Sequence, residues 1–143
     1  MIDYLIDTSA LIRIIRGQAD PAWIRYADEG RFAICEPVIF EFVHGSGARE
    51  AQAIEAELLA GHEWIPLPNK VGSYMRDLRR DLTSRSMHTM FSLPDYLIAA
   101  TAMQLGLTVL HEDKDFTAAA RYHPSLLEQR ISKTLPRPPR AEG

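Results

Sequence analysis

Residues 1–16 read Met1-Ile2-Asp3-Tyr4-Leu5-Ile6-Asp7-Thr8-Ser9-Ala10-Leu11-Ile12-Arg13-Ile14-Ile15-Arg16, a short strand that ends in a carboxylate and turns straight into a helix. Tyr4-Leu5-Ile6 is short and β-prone, which predicts a buried strand; Asp7 stops it, and Thr8-Ser9 can cap the helix that starts at Ala10. Asp7 therefore belongs at the carboxyl end of a strand. In open α/β sheets ligands bind at that edge, because loops converge there and helix N-termini point at it.

Beyond Arg16 the same strand-then-helix pattern repeats. Asp20-Pro21 starts a second helix that Gly30 stops. Phe32-Ala33-Ile34-Cys35 is a second strand, and Pro37 opens a helix that carries Glu41 among Val38, Ile39, Phe40 and Phe42. A carboxylate in such apolar company needs a partner or a cation. Ala51, Ile54, Leu58 and Leu59 give helical spacing over 48–60, and Glu63-Trp64-Ile65-Pro66-Leu67 reads as a third strand, its proline marking an end or an edge.

The segment 69–85 is an amphipathic helix with Arg76, Arg79 and Arg80 on its polar side. Residues 85–91 read as a loop near the site. Ser92 caps a helix with Pro94 and Asp95 in its first turn and Gly106 at its end. Leu107-Thr108-Val109-Leu110 is a fourth strand, followed by His111-Glu112-Asp113-Lys114-Asp115-Phe116, and 126–131 holds a last short strand. Alternating strands and helices predict a three-layer α/β/α sandwich around a short parallel sheet with right-handed crossovers. One domain is expected over 1–131, with the basic, proline-rich 132–143 as a disordered tail.

The totals exclude several classes. At 143 residues, with 46% hydrophobic and 24% charged residues, the chain has the balance of a globular domain. Its longest uncharged apolar stretch, 96–110, contains Gln104 and Gly106 and is too short to cross a bilayer, so no membrane association is expected. The N-terminus lacks the pattern of a signal peptide, which makes the cytoplasm the expected location. The lone Cys35 excludes an internal disulfide and a thiolate metal site, and the five scattered histidines exclude a histidine-rich one. Net charge is -3; setting aside Asp7, Glu41, Asp95, Asp113 and Asp115 leaves the remainder slightly basic, a pattern that suits a polyanion over an acidic pocket.

Carboxylates thus reach one sheet edge from four places: Asp7, Glu41, Asp95, and Asp113 with Asp115. Crowded like charges stay ionised only around something cationic, and ligands that are all oxygen select hard ions, so one or two Mg²⁺ or Mn²⁺ are expected. Such an ion suits phosphoryl chemistry. Thr8 and Ser9 could orient Asp7 or hold a phosphate oxygen. Arg76, Arg79 and Arg80 are candidates for phosphate contact, with a plain solvated face as the alternative.

The motifs Asp7-Thr8-Ser9-Ala10-Leu11, Glu41-Phe42-Val43-His44-Gly45, Pro94-Asp95-Tyr96-Leu97-Ile98-Ala99-Ala100-Thr101-Ala102 and Leu110-His111-Glu112-Asp113-Lys114-Asp115-Phe116 resemble, in order, the four acidic motifs of PIN-domain ribonucleases of the VapC toxin type. The resemblance covers residues 1 to 125. It implies Asp7, Glu41, Asp95 and Asp113 as the catalytic quartet, Asp115 as a candidate fifth acid, RNA as substrate, an antitoxin that occludes the site, and a homodimer. His111 stands where the family usually has threonine or serine. A DNA nuclease or other phosphohydrolase would use the same metal chemistry. A receiver-like binding module would need an acid after the third strand, where Pro66-Leu67-Pro68 offers none.

Overall fold

The computed structural model describes residues 2–138. Strand β1 (Tyr4–Ile6) leads into helix α1 (Thr8–Ile15) and α2 (Pro21–Asp28); β2 (Phe32–Cys35) is followed by α3 (Glu36–Val43) and α4 (Ala48–Gly61). Then come β3 (Glu63–Ile65), α5 (Val71–Ser84), α6 (Leu93–Leu105), β4 (Thr108–His111), α7 (Lys114–Tyr122) and β5 (Glu128–Arg130). The five strands are parallel, in the order β3-β2-β1-β4-β5, with helices flanking the sheet. This is the α/β/α arrangement expected from the alternation of elements.

Every residue of β1, β2 and β4 is buried, as central parallel strands covered on both faces require. On α6, Ala99, Ala100 and Ala102 are fully buried, and their small side chains let the helix lie close to its neighbours. Gly106 ends it in the left-handed region at φ 69°, a conformation that costs a residue with a Cβ. Cys35 is inert core: burial pushes its thiol up to about 12.

Chain order and strand order part company at one point. From β1 the chain moves outward through β2 to β3, then returns to place β4 on the other side of β1 and β5 beyond it. The switch lies between β1 and β4, and their carboxyl ends carry Asp7 and His111-Glu112-Asp113. At the opposite end, Tyr4, Trp23, Tyr26 and Phe32 pack closely, with the Tyr4 and Trp23 rings edge to face, their centroids 5.3 Å apart at 81°.

That aromatic cluster corrects the expectation for the tail. Residues 134–138 are tied to it: Trp23 Nε1 donates to the carbonyl of Thr134 at 2.8 Å, the Arg137 amide donates to the Tyr4 hydroxyl at 3.0 Å, and the Arg137 guanidinium donates to Thr108 Oγ1 at 2.5 Å. The cause is the need of buried indole and phenol groups for hydrogen-bond partners, which the tail supplies. The remainder of the expected tail, 139–143, lies outside the described residues.

Two further corrections bear on the site. Helix α1 begins at Thr8, with Asp7 itself as the N-cap, so Thr8 and Ser9 are free for other contacts. Helix α7 is an element that the sequence reading does not contain; Asp113 caps it, and Phe116 and Ala119 form its buried side. Among the described residues, no helix is long and apolar enough to cross a membrane.

Candidate functional site

Asp7 stands where β1 gives way to α1 and is only 4% exposed. Its Oδ2 accepts the backbone N–H of Ser9 at 3.1 Å and the Ser9 hydroxyl at 2.5 Å. The Ser9 Oγ in turn accepts the N–H of Glu112, from the turn after β4, at 2.9 Å, while the Asp7 amide donates to the carbonyl of Leu110 at 2.9 Å. Asp7 is thereby stitched to the far side of the switch point. Burial pushes its carboxyl up to about 6 against the pull of the Ser9 hydrogen bonds, and the charges of Asp95 and Glu41 push the same way.

Glu41 departs from the expected setting. Helix α3 turns Pro37, Val38 and Ile39 into the core and leaves Glu41 exposed, with its neighbour Phe40 exposed as well. Its partner is a hydroxyl: Thr8 Oγ1 donates to Oε1 at 3.1 Å. Partial withdrawal of the carboxyl from water raises its pKa, Thr8 lowers it and Asp95 raises it.

Asp95 is half-buried in the first turn of α6. It completes a capping box in which its Oδ2 accepts the Ser92 N–H at 3.0 Å and the Ser92 hydroxyl accepts the Asp95 N–H at 3.3 Å. Asp113 accepts the Asp115 N–H at 2.9 Å. Asp115 is raised by burial, then by Asp113, and also by Asp95, with Lys114 acting the other way.

The charges of Asp95 and Glu41 thus push the Asp7 carboxyl up, and that of Asp95 pushes Glu41 the same way. Asp115 joins them through Asp95, and Asp113 joins through Asp115. Asp7, Asp95 and Asp113 share a local cause: each uses one oxygen to hold the start of a helix, which orients the carboxylate and leaves a second oxygen outside the cap. Among the described residues, no three His, Cys, Asp or Glu side chains are grouped so that they could hold a metal ion together. The donor chemistry fits a hard ion all the same, since Mg²⁺ is commonly bound by one or two carboxylates and keeps several waters.

Not every acid nearby belongs to the array. Glu112 lies between the site residues in sequence, yet it takes hydrogen bonds from Ser132 at 2.9 and 3.1 Å and from Arg130 at 3.1 Å, with Arg13 at 3.6 Å. Burial alone would raise its pKa, but these partners hold it below the usual range. Glu112 is a brace for the chain around β5.

Arg76, Arg79 and Arg80 are exposed on α5. Arg79 is near enough to Tyr96, the residue after Asp95, to lower a hydroxyl pKa that burial raises; among the described residues, Arg76 and Arg80 touch none of the acids. Trp23 is wholly buried, whereas Phe40 is 52% exposed and lines an apolar recess of about 300 Å³ with Pro37, Leu67, Leu93, Pro94 and Leu97. This recess adjoins Glu41 and Asp95 along the chain.

Sequence reasoning misses the bridging role of Ser9 and the pairing of His111 with Glu128. The first has a signal in the Asp-Thr-Ser start; the second joins residues of two strands and has none.

Comparison with known proteins agrees with this architecture. The PIN domain family model matches residues 4–122. Ribonuclease VapC2 of Mycobacterium tuberculosis (strain CDC 1551 / Oshkosh) is 32% identical over 140 residues, covering 96% of this chain and 96% of that protein. Ribonuclease VapC17 of Mycobacterium tuberculosis (strain ATCC 25618 / H37Rv) is 28% identical over 134 residues, with 93% and 98% covered. The fold is shared with VapBC2 from Rickettsia felis, solved bound to a DNA fragment from their promoter, at a TM-score of 0.70 and 24% identity, with 90% and 98% of the two chains covered. It is shared too with VapBC-5 from Mycobacterium tuberculosis, at 0.66 and 23%, with 92% and 100% covered.

Proposed function

The chain belongs to the PIN-domain family as a VapC-type ribonuclease, and on that premise we propose that it hydrolyses phosphodiester bonds in structured or loop RNA with Mg²⁺ or Mn²⁺, as the toxin of a toxin-antitoxin pair. The observation that carries this reading is the place of Asp7, buried at the carboxyl end of β1 beside the switch point of the sheet, with Glu41 held by Thr8 of the same helix start and the 112–115 turn tied to it through Ser9. Asp7, Asp95, Asp113 and Asp115 are the groups that would hold one or two ions, with Glu41 beside them. A bound ion of this kind polarises the phosphate and makes an attacking water more acidic.

The chain's own share is orientation and charge. Ser9 fixes the rotamer of Asp7, Thr8 turns the Glu41 carboxylate, and the capping box holds Asp95. Both hydroxyls of the Asp-Thr-Ser start serve carboxylates, which favours orientation over phosphate binding as their role. Arg79 is the best placed of the three α5 arginines to meet an RNA backbone that approaches the start of α6.

A protein partner could restrain the enzyme by placing an arginine or lysine among the acids, where it would gain charge-assisted hydrogen bonds. The apolar surface of Phe40, Leu67 and Leu93 supports a protein covering that side, whether an antitoxin or a second copy in a homodimer. A cytoplasmic setting is part of the same proposal.

The test is induced expression in a bacterial host of wild type and Asp7→Asn, with sequencing of RNA 5′ ends and coexpression of the neighbouring small open reading frame, alongside cleavage assays on matched RNA and DNA. Growth arrest and new RNA ends that need Asp7 and vanish with the neighbour support the proposal. Cleavage of DNA alone, or unaffected growth without new ends, contradicts it.

A further inference from the structure

Strand β4 ends on His111, which is fully buried with its ring 5.1 Å from that of Phe116. Its two nitrogens meet different partners. Nδ1 lies 3.0 Å from the backbone nitrogen of Asp113. Nε2 lies 2.6 Å from Oε2 of Glu128 on β5, and that same oxygen accepts the Thr117 hydroxyl of α7 at 3.3 Å. A backbone amide can only donate, so Nδ1 must accept and carries no hydrogen. The ring hydrogen therefore sits on Nε2 and is donated to Glu128.

We infer that His111 and Glu128 are a positioning pair for the acidic turn that follows β4. Glu128 selects the tautomer, the tautomer makes Nδ1 an acceptor, and that acceptor holds the amide of Asp113 in the conformation from which Asp113 caps α7 by taking the Asp115 N–H at 2.9 Å. The turn is then gripped from both sides at successive residues: the Glu112 amide by Ser9, which also holds Asp7, and the Asp113 amide by His111. His111 thus supplies an acceptor to the turn and at the same time reaches through to a second strand, so that β5 helps set where Asp113 and Asp115 stand. The functional weight of the pair rests on the proposed role of those two aspartates.

The test uses the full chain and five variants, four of them at the pair itself. His111→Asn puts an oxygen close to the place of Nδ1 and keeps the acceptor, while His111→Leu removes it. Glu128→Gln keeps an acceptor for the Nε2 hydrogen, while Glu128→Leu removes it. Three quantities are read: the tautomer of His111 from two-bond ¹H–¹⁵N spectra, the exchange rate of the Asp113 amide, and the affinity for Mn²⁺ by titration. The wild type shows the Nε2–H tautomer. His111→Leu and Glu128→Leu speed exchange of the Asp113 amide and weaken Mn²⁺ binding by about tenfold or more, as removal of supporting hydrogen bonds around a metal site does, and His111→Asn and Glu128→Gln stay close to wild type in both. An Nδ1–H tautomer, or a His111→Leu protein with wild-type exchange and affinity, or a His111→Asn protein as impaired as His111→Leu, overturns the inference. If the leucine variants fail to fold, the wild-type tautomer and the two conservative variants decide it. Unchanged Mn²⁺ affinity in a double Asp113→Asn, Asp115→Asn variant instead overturns the metal role of the turn, and the tautomer and amide exchange then judge the positioning pair by themselves.

Discussion

The hydroxyl of Ser9 donates to Asp7 Oδ2 at 2.5 Å while accepting the Glu112 amide at 2.9 Å, so one small side chain joins the first acid of the site to the turn that carries the last two. Ser9→Ala breaks both links. It leaves the Glu112 amide without its acceptor, which costs about 1–2 kcal/mol of stability, and it removes the hydroxyl that helps hold the Asp7 pKa down. We expect RNA cleavage to fall by about tenfold with the fold intact. Urea denaturation and single-turnover cleavage check the two halves; wild-type values for both would dissolve the coupling.

The pKa of Asp7 makes a prediction about pH. In the folded protein the carboxyl is raised to about 6 from an ordinary 3.8, so the native state binds this proton more tightly than the unfolded chain does. Stability from this group is fully present below about pH 4 and is lost as pH rises through about 6, for a total of about 3 kcal/mol. Glu41 and Asp115 are shifted in the same direction. In EDTA, Asp7→Asn should therefore overtake the wild type in stability as pH rises from about 4.5 to about 7.5. Parallel stability curves for the two proteins would show that Asp7 is not held in a charge-crowded, buried setting.

The order and type of most elements are legible in the sequence, and the reasons are local. Asp20-Pro21, Ser92 with Asp95, and Gly106 are start and stop signals that the backbone obeys. What escapes is three-dimensional. Apolar sequence neighbours suggest a buried Glu41, but a helix has a dry side and a wet side, and α3 turns Glu41 to the wet one. Composition suggests a disordered tail, and no local rule says that Trp23 and Tyr4 need the hydrogen-bond partners that 134–138 brings. Helix α7 is hidden because Asp113 serves both as a site residue and as a cap.

The tail contacts lie at the amino ends of the strands, away from the acids. Truncation before Thr134 should cost about 2–4 kcal/mol by leaving the Trp23 indole and the Tyr4 hydroxyl with fewer partners in the core. Mn²⁺ affinity of the folded fraction should be unchanged. A truncated protein as stable as the full chain, by thermal or urea denaturation, would mean these contacts carry no weight.

Removing the charges of Arg76, Arg79 and Arg80 together should weaken RNA binding irrespective of sequence and flatten its dependence on salt, by roughly 0.7 in the log–log slope for each phosphate that is no longer neutralised. Single variants separate the three, with Arg79→Gln expected to have the largest effect because Arg79 is the one of them that reaches the start of α6. Affinity measured across a salt series decides it. An unchanged slope for the triple variant returns α5 to a solvated face.

Asp7, Glu41, Asp95 and the 113–115 turn are proposed to form one metal-dependent centre for cutting RNA. The most direct measurement is the single-turnover cleavage rate of one labelled RNA by wild type and by Asp95→Asn, each in Mg²⁺ and in EDTA, with circular dichroism to confirm that the variant is folded. Cleavage by the wild type in Mg²⁺ alone, with a drop of about a hundredfold or more in both EDTA and the folded variant, is the predicted result. Full activity in EDTA, or in folded Asp95→Asn, would contradict the account.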